Sequence, residues 1–174
     1  LIGRNPAGRL DGAVVDTPGV FLGLSNQGRL ETSGIDVNVN YSRDIGFATF
    51  VYALNANYTF VNKFQATPAS VNRECIGYFS TSCDPISEFT LNQRTTLRFS
   101  NVDVSLNWRH LSEVIREPTA SVVAFPVIPS YDLFDLGFAA NVSDNLRINL
   151  AVTNLFDKQP PIVGNQVGTT AFNA

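Results

Sequence analysis

Few side chains in this sequence could perform chemistry: two cysteines, one histidine and a close pair of aspartates. Cys75 and Cys83 lie near one another with Gly77 between them, so a local bridge is feasible. In an oxidising compartment they pair most simply with each other and restrain their segment. The spacing is not Cys-x-x-Cys, which argues against redox catalysis. A metal site needs more ligands than these thiols and the distant His110 supply. His110 is the sole imidazole, so a Ser-His-Asp arrangement would depend on it alone, and no Gly-x-Ser-x-Gly elbow accompanies it. Asp132 and Asp135 suggest paired carboxylates, but their spacing in a strand puts them on opposite faces. Glycine-rich phosphate loops are absent. The expectation is a chain with a structural disulfide, no catalytic residue, no metal and no cofactor. It is not an enzyme.

The composition narrows the class further. Of the 174 residues 44 % are apolar, which argues against disorder. Only 16 % are charged, well below the roughly 25 % of an average soluble protein. The 12 glycines and 9 prolines show no period, which excludes collagen-like character. No stretch approaches the roughly 18 apolar residues of a spanning helix, and the longest run, 122–128, is interrupted by Pro126. A net charge of −3 leaves no basic footprint for nucleic acid. There is no Met and residue 1 is Leu, so the chain is expected to be a processed product or a segment of something longer.

The elements that must position these residues repeat with period two. Ile35, Val37, Val39 and Tyr41 alternate with Asp36, Asn38 and Asn40. Over 48–60 the even positions are apolar, from Ala48 and Phe50 to Tyr58 and Phe60. Phe89, Leu91, Leu97 and Phe99 alternate with Thr90, Asn92, Arg94, Thr96 and Arg98. The same pattern recurs over 102–109, 134–142 and 146–153, and a weaker strand bent by Pro18 and Gly19 is expected over 13–24. No window has a helical period. The fold class is all-β, an antiparallel up-and-down meander of about seven strands.

The links alternate in length. Residues 42–46, 100–101 and 143–145 are rich in Ser, Asn, Asp and Gly and suit tight turns. Residues 62–88 and 112–130 are long links at the other end, the second stiffened by Pro126-Val-Ile-Pro129. Residues 25–28 take a long-loop position with a short turn. Short turns at one end and long loops at the other describe an outer-membrane barrel. Tyr58, Phe60, Phe89, Trp108 and Phe156 sit near the loop ends of the apolar face, and Tyr41 and Phe99 near the turn ends, as interfacial girdles would. The opposite face carries Arg94, Arg98, Arg109 and Arg147, suited to a wetted lumen and to contacts with an anionic ligand there, or to pairing with Asp36, Asp103 and Asp135. A secreted β-sandwich ligand-binding module would show the same alternation. It stands as the alternative.

Three stretches carry a resemblance. Gly28-Arg-Leu-Glu-Thr-Ser-Gly-Ile-Asp36 is similar to a frequent turn-to-strand segment, and Glu74-Cys-Ile-Gly-Tyr-Phe-Ser-Thr-Ser-Cys83 to a cysteine-bearing external loop. Asn145-Leu-Arg-Ile-Asn-Leu-Ala-Val-Thr-Asn-Leu-Phe-Asp-Lys158 is the more specific, similar to a penultimate barrel strand ending in Asn-Leu-Phe-Asp. Over residues 20–170 the chain resembles the C-terminal barrel of TonB-dependent outer-membrane receptors. The resemblance implies a segment of a roughly 22-stranded transmembrane β-barrel. Residues 1–174 would be one partial C-terminal barrel domain, without the plug domain and the last strand. It also implies location in the bacterial cell outer membrane and active uptake of a scarce nutrient with energy from the TonB system. The partners would be outer-membrane lipid, the plug domain and TonB through the rest of the chain, and a small-molecule or oligosaccharide substrate.

Overall fold

The computed structural model describes residues 7–9, 28–118 and 124–161. The strand expected over 13–24 lies outside them. Six long strands form the wall: β1 (Arg29–Asp44), β2 (Thr49–Gln65), β5 (Phe89–Arg98), β6 (Val102–Leu111), β9 (Tyr131–Ser143) and β10 (Leu146–Val152). They pair antiparallel in chain order, and the two-residue β3 (Arg73–Glu74) pairs with β2. The alternation explains this meander, because each tight turn must return the chain without moving the apolar set to the other face. At the first turn, Ile45 N–H donates to Ala48 at 2.9 Å and Gly46 takes φ 91°. At the second, Phe99 N–H donates to Val102 at 2.7 Å.

The register sorts the side chains into two faces. One face places Ile35, Tyr58 and Phe89 in a row, then Val104, Phe138 and Leu150 further along. The other pairs Asp36 with Asn57 and Asn107 with Asp135. No residue of the six long strands is buried. Ile35 is 53 % exposed and Leu150 61 %. A sandwich would bury such residues against a second sheet. Among the described residues nothing covers the apolar face, so the wall is a single layer whose apolar side needs a non-aqueous solvent. Ten residues at about 3.4 Å each, tilted by roughly 45°, rise about 24 Å, close to the apolar band of an outer-membrane barrel. Strands β5 and β6 have that length.

The buried core lies outside the wall. Both long links contribute to a second sheet, in which β4 (Tyr78–Phe79) pairs parallel with β7 (Val114–Arg116), and β7 antiparallel with β8 (Val127–Ile128). Cys75, Ile76, Phe79, Ser80, Cys83 and Val114 are buried there, and Ile128 packs against Phe79 and Val114. The sequence reading treats these links as separate loops. In the structure they fold on each other.

Strands β1 and β2 run beyond membrane-spanning length, to 16 and 17 residues. Their register shifts between Ser33 and Gly34, so a bulge divides the spanning part from the extension. A Cβ on Gly34 would stand 2.6 Å from the Tyr58 carbonyl oxygen and 3.1 Å from Thr59 Cα. Both are backbone atoms, which cannot swing aside. Gly34→Val is expected to cost about 1–3 kcal/mol in urea unfolding of the intact protein in detergent micelles. A midpoint equal to that of the parent would show that the bulge tolerates a side chain.

Candidate functional site

Tertiary folding brings the aromatic residues of the apolar face into one belt. Phe60 and Tyr58 lie 5.3 Å apart between ring centroids, and Tyr58 and Phe89 6.4 Å. The belt continues through His110, 5.7 Å from Phe89, to Trp108, 6.1 Å further on. Phe134 stacks on Trp108 at 6.0 Å, and Phe156 meets Phe134 edge-on at 5.4 Å. This belt crosses the register obliquely. Tyr58 pairs with Phe89, but Trp108 pairs with Gln93, further along β5. Strands in a closed barrel tilt and stagger, so a ring that stays level must step along the register from strand to strand. The belt has the geometry of an interfacial girdle. Tyr41, Phe50 and Tyr52 form a smaller cluster towards the tight turns.

Asp132 serves this belt. Trp108 Nε1 donates to its Oδ1 at 2.8 Å, and His110 Nδ1 lies 2.8 Å from the same oxygen. An indole and an imidazole on a mainly apolar face thereby find an acceptor at the edge of the band. Asp135 points to the opposite face, as the spacing in the strand requires. There it accepts from Arg109 Nη2 at 3.1 Å, from Asn107 Nδ2 at 3.3 Å and from the backbone N–H of Asn154 at 2.9 Å. These two aspartates therefore hold different structures.

The polar face divides into two concavities. Towards the long loops, Asp36, Asn38, Asn55, Asn57, Asn92 and Arg109 line about 450 Å³, with Asn57 Nδ2 donating to Asp36 at 2.7 Å. This surface presents amides, the Asp36 carboxylate and one closed charge pair, Arg109 with Asp135. Towards the tight turns, Arg94, Arg98, Asp103 and Arg147 line about 490 Å³. All four arginines singled out from the sequence occupy this face, but the structure gathers only Arg94, Arg98 and Arg147 in one concavity and leaves Arg109 in the other. Arg109 is held by Asp135, whereas Arg147 reaches Asp103 at 3.3 Å and Arg94 Nη2 donates to Ser105 Oγ at 3.2 Å.

Cys75 and Cys83 are bonded, with Cα atoms 5.3 Å apart. The bridge closes a loop whose backbone is also tied to the second long link. Ile115 N–H donates to Gly77 at 2.9 Å and Glu117 N–H to Phe79 at 3.1 Å. An ion pair, Arg73 Nη1 to Glu117 Oε1 at 2.6 Å, joins the same two links. Sequence reasoning missed this pairing, along with the Ser105–Gly137 contact beneath Arg94. Neither leaves a periodic signal.

The Asn-Leu-Phe-Asp segment departs from its expected shape. Strand β10 ends at Val152, and the segment folds into a turn with φ 53° at Asn154 and 49° at Asp157. Leu155 N–H donates to the Phe134 carbonyl at 2.7 Å and Asp157 N–H to Asn154 at 2.9 Å. Asn154 suits this place, because it tolerates the left-handed region and its side chain accepts from Lys158 N–H at 2.9 Å.

Comparison with known proteins gave one family. No curated protein and no solved structure matched the chain. A family model described as TonB dependent receptor-like, beta-barrel, matches residues 4–155. With that match spanning most of its length, and with a wall apolar on one side, polar on the other and girdled obliquely by aromatics, the chain belongs to the TonB dependent receptor-like β-barrel family.

Proposed function

We propose that this chain is part of the C-terminal barrel wall of a bacterial outer-membrane receptor that takes up a scarce nutrient with energy from the TonB system. The observation that carries the reading is the two-sidedness of a single sheet. Its apolar face has no protein cover among the described residues, while its polar face offers amides and arginines. A transporter wall needs both, since one side meets lipid and the other a hydrated path. The polypeptide performs no covalent chemistry in this reading. It contributes a lipid-facing surface, a polar lining and a folded external cap made from its two long links. A plug domain and TonB would act through other parts of the receptor.

Uptake by cells making the intact receptor tests this reading. The panel would hold labelled ferric siderophores, cobalamin and oligosaccharides, assayed with and without TonB. One ligand class is expected to accumulate, and only while TonB is present. An intact protein that stayed soluble and monodisperse without detergent would overturn the reading, as would uptake that ignored the loss of TonB.

A further inference from the structure

At the edge of the apolar band the outward face closes its polar groups, since Trp108 Nε1 and His110 Nδ1 share Asp132 Oδ1. Midway along β5 it does not. Gln93 pairs in the register with Leu54 on one side and Trp108 on the other, and Thr95 with Tyr52 and Leu106. Both stand among apolar and aromatic neighbours, on the side of the sheet that has no protein cover. Phe89 and Phe99 mark the two ends of this outward row, and Gln93 lies near its middle. The step from Phe89 to Gln93, on a strand tilted by roughly 45°, descends about 10 Å from the aromatic belt into the hydrocarbon. Gln93 Nε2 donates to Thr95 Oγ1 at 2.5 Å, which uses one N–H of the amide. The amide oxygen, the second N–H and the Thr95 hydroxyl proton have no partner among the described residues.

We infer that this patch is a lateral contact between two copies of the receptor, paired about a two-fold axis that runs along the membrane normal beside Gln93. The acyl interior of a bilayer has no hydrogen-bonding groups, so lipid leaves the three open groups unmet. A carboxamide is its own complement. It donates and accepts through adjacent atoms, so two amides brought face to face exchange N–H···O bonds. A closed pair inserted in one direction is related by rotation about the normal, which keeps every residue at its own depth. Gln93 at the axis therefore meets its counterpart, with a Thr95 hydroxyl beside each amide. Leu54, Leu91 and Leu106 surround the patch and exclude lipid from it. Further barrel strands would join at the free edges of β1 and β10, and a plug would lie against the opposite face. Neither reaches Gln93, and the contact is independent of what the receptor carries.

Sedimentation equilibrium of the purified intact receptor, in a detergent matched in density to the solvent, reads the association. The parent is expected to sediment as a reversible dimer. Q93L removes the amide from a surface already rich in leucine and should associate about tenfold more weakly, in line with two hydrogen bonds between proteins in a bilayer. L150A trims the same face three strands away and should leave association unchanged. Nitroxide labels at L91C, and separately at L150C, locate the contact by dipolar electron resonance in nanodiscs wide enough for two copies. The native cysteines are bonded to each other and take no label. The labels beside Gln93 should lie closer together than those on β10. This second measurement keeps Gln93 in place, so it decides the matter if Q93L does not fold. Equal association by Q93L would overturn the inference, as would equal loss in L150A or a shorter distance at L150C. A parent that stays monomeric in both media would do the same, and is the result expected if a different membrane protein covers the patch. A receptor that dimerises through Gln93 but shows no TonB-dependent uptake would sink the transport reading and leave the contact standing. A monomer that transports would do the reverse.

Discussion

Replacing Phe79 with alanine is expected to unfold the external cap while leaving the wall intact. Phe79 is 1 % exposed and packs with Val114 and Ile128, so both long links lose their common anchor. Truncation of a buried phenylalanine typically costs about 3–5 kcal/mol. Few other contacts share the load, because the buried apolar set of this sheet is so small. The Arg116 guanidinium, 5.7 Å from the Phe79 ring centroid, loses its aromatic platform as well. Limited trypsin digestion of intact cells is the measurement. The variant should be cut rapidly near Arg116, which the folded cap holds in β7. The unfolding midpoint of the barrel should stay near that of the parent, since no residue of the long strands belongs to this core. A variant as resistant as the parent would mean that the two links do not fold as one unit. A large drop in barrel stability would mean that cap and wall are not separate.

The unequal legibility of these two parts in the sequence has a physical reason. A membrane strand must alternate over about ten residues because lipid and water lie on its two sides, and that constraint is written into the wall. The tight turns and the opposite orientation of Asp132 and Asp135 follow from it. The cap obeys no such rule. Strands β4 and β7 span two and three residues, too short for a period, and the parallel pairing of Tyr78 with Ile115 joins segments far apart in the chain. Even within the wall the apolar set is incomplete. Gln93 and Thr95 share the outward face with Leu91 and Leu97, and alternation counts pass over them. The structure reconciles them with that face, because Gln93 Nε2 donates to Thr95 Oγ1 at 2.5 Å. Two polar groups that satisfy one another cost less on an apolar surface than either alone. On the polar face, arginine type and strand parity identify the residues, but which of them retain an open guanidinium depends on partners that only the register brings near.

Asp135→Ala should release the end of β10 from the wall. The Asn-Leu-Phe-Asp turn is held at its start by the bond from Asn154 N–H to Asp135 Oδ1, and that carboxylate also gathers Asn107 and Arg109. At the far side, Tyr131 OH donates to the Lys158 carbonyl at 3.0 Å. Alanine leaves the Asn154 N–H without its acceptor at the positive-φ start of the turn. It also leaves Arg109 facing Asn107 without a counter-charge. The expected loss is about 2–4 kcal/mol, most of it from the unmet donors. The ion pair itself contributes little, because the Arg109 side chain is 47 % exposed and partly screened by water. Asp135→Asn separates the two contributions. It keeps a carbonyl for the Asn154 N–H and removes only the charge, so it should cost about 1 kcal/mol or less. Urea unfolding of both variants in micelles measures the difference, and amide exchange at Asn154 and Leu155 locates it. If the two variants lose equal stability, the charge pair rather than the turn anchor governs. If neither speeds exchange at Asn154, the turn is held by Phe156 against Phe134 and not by the carboxylate.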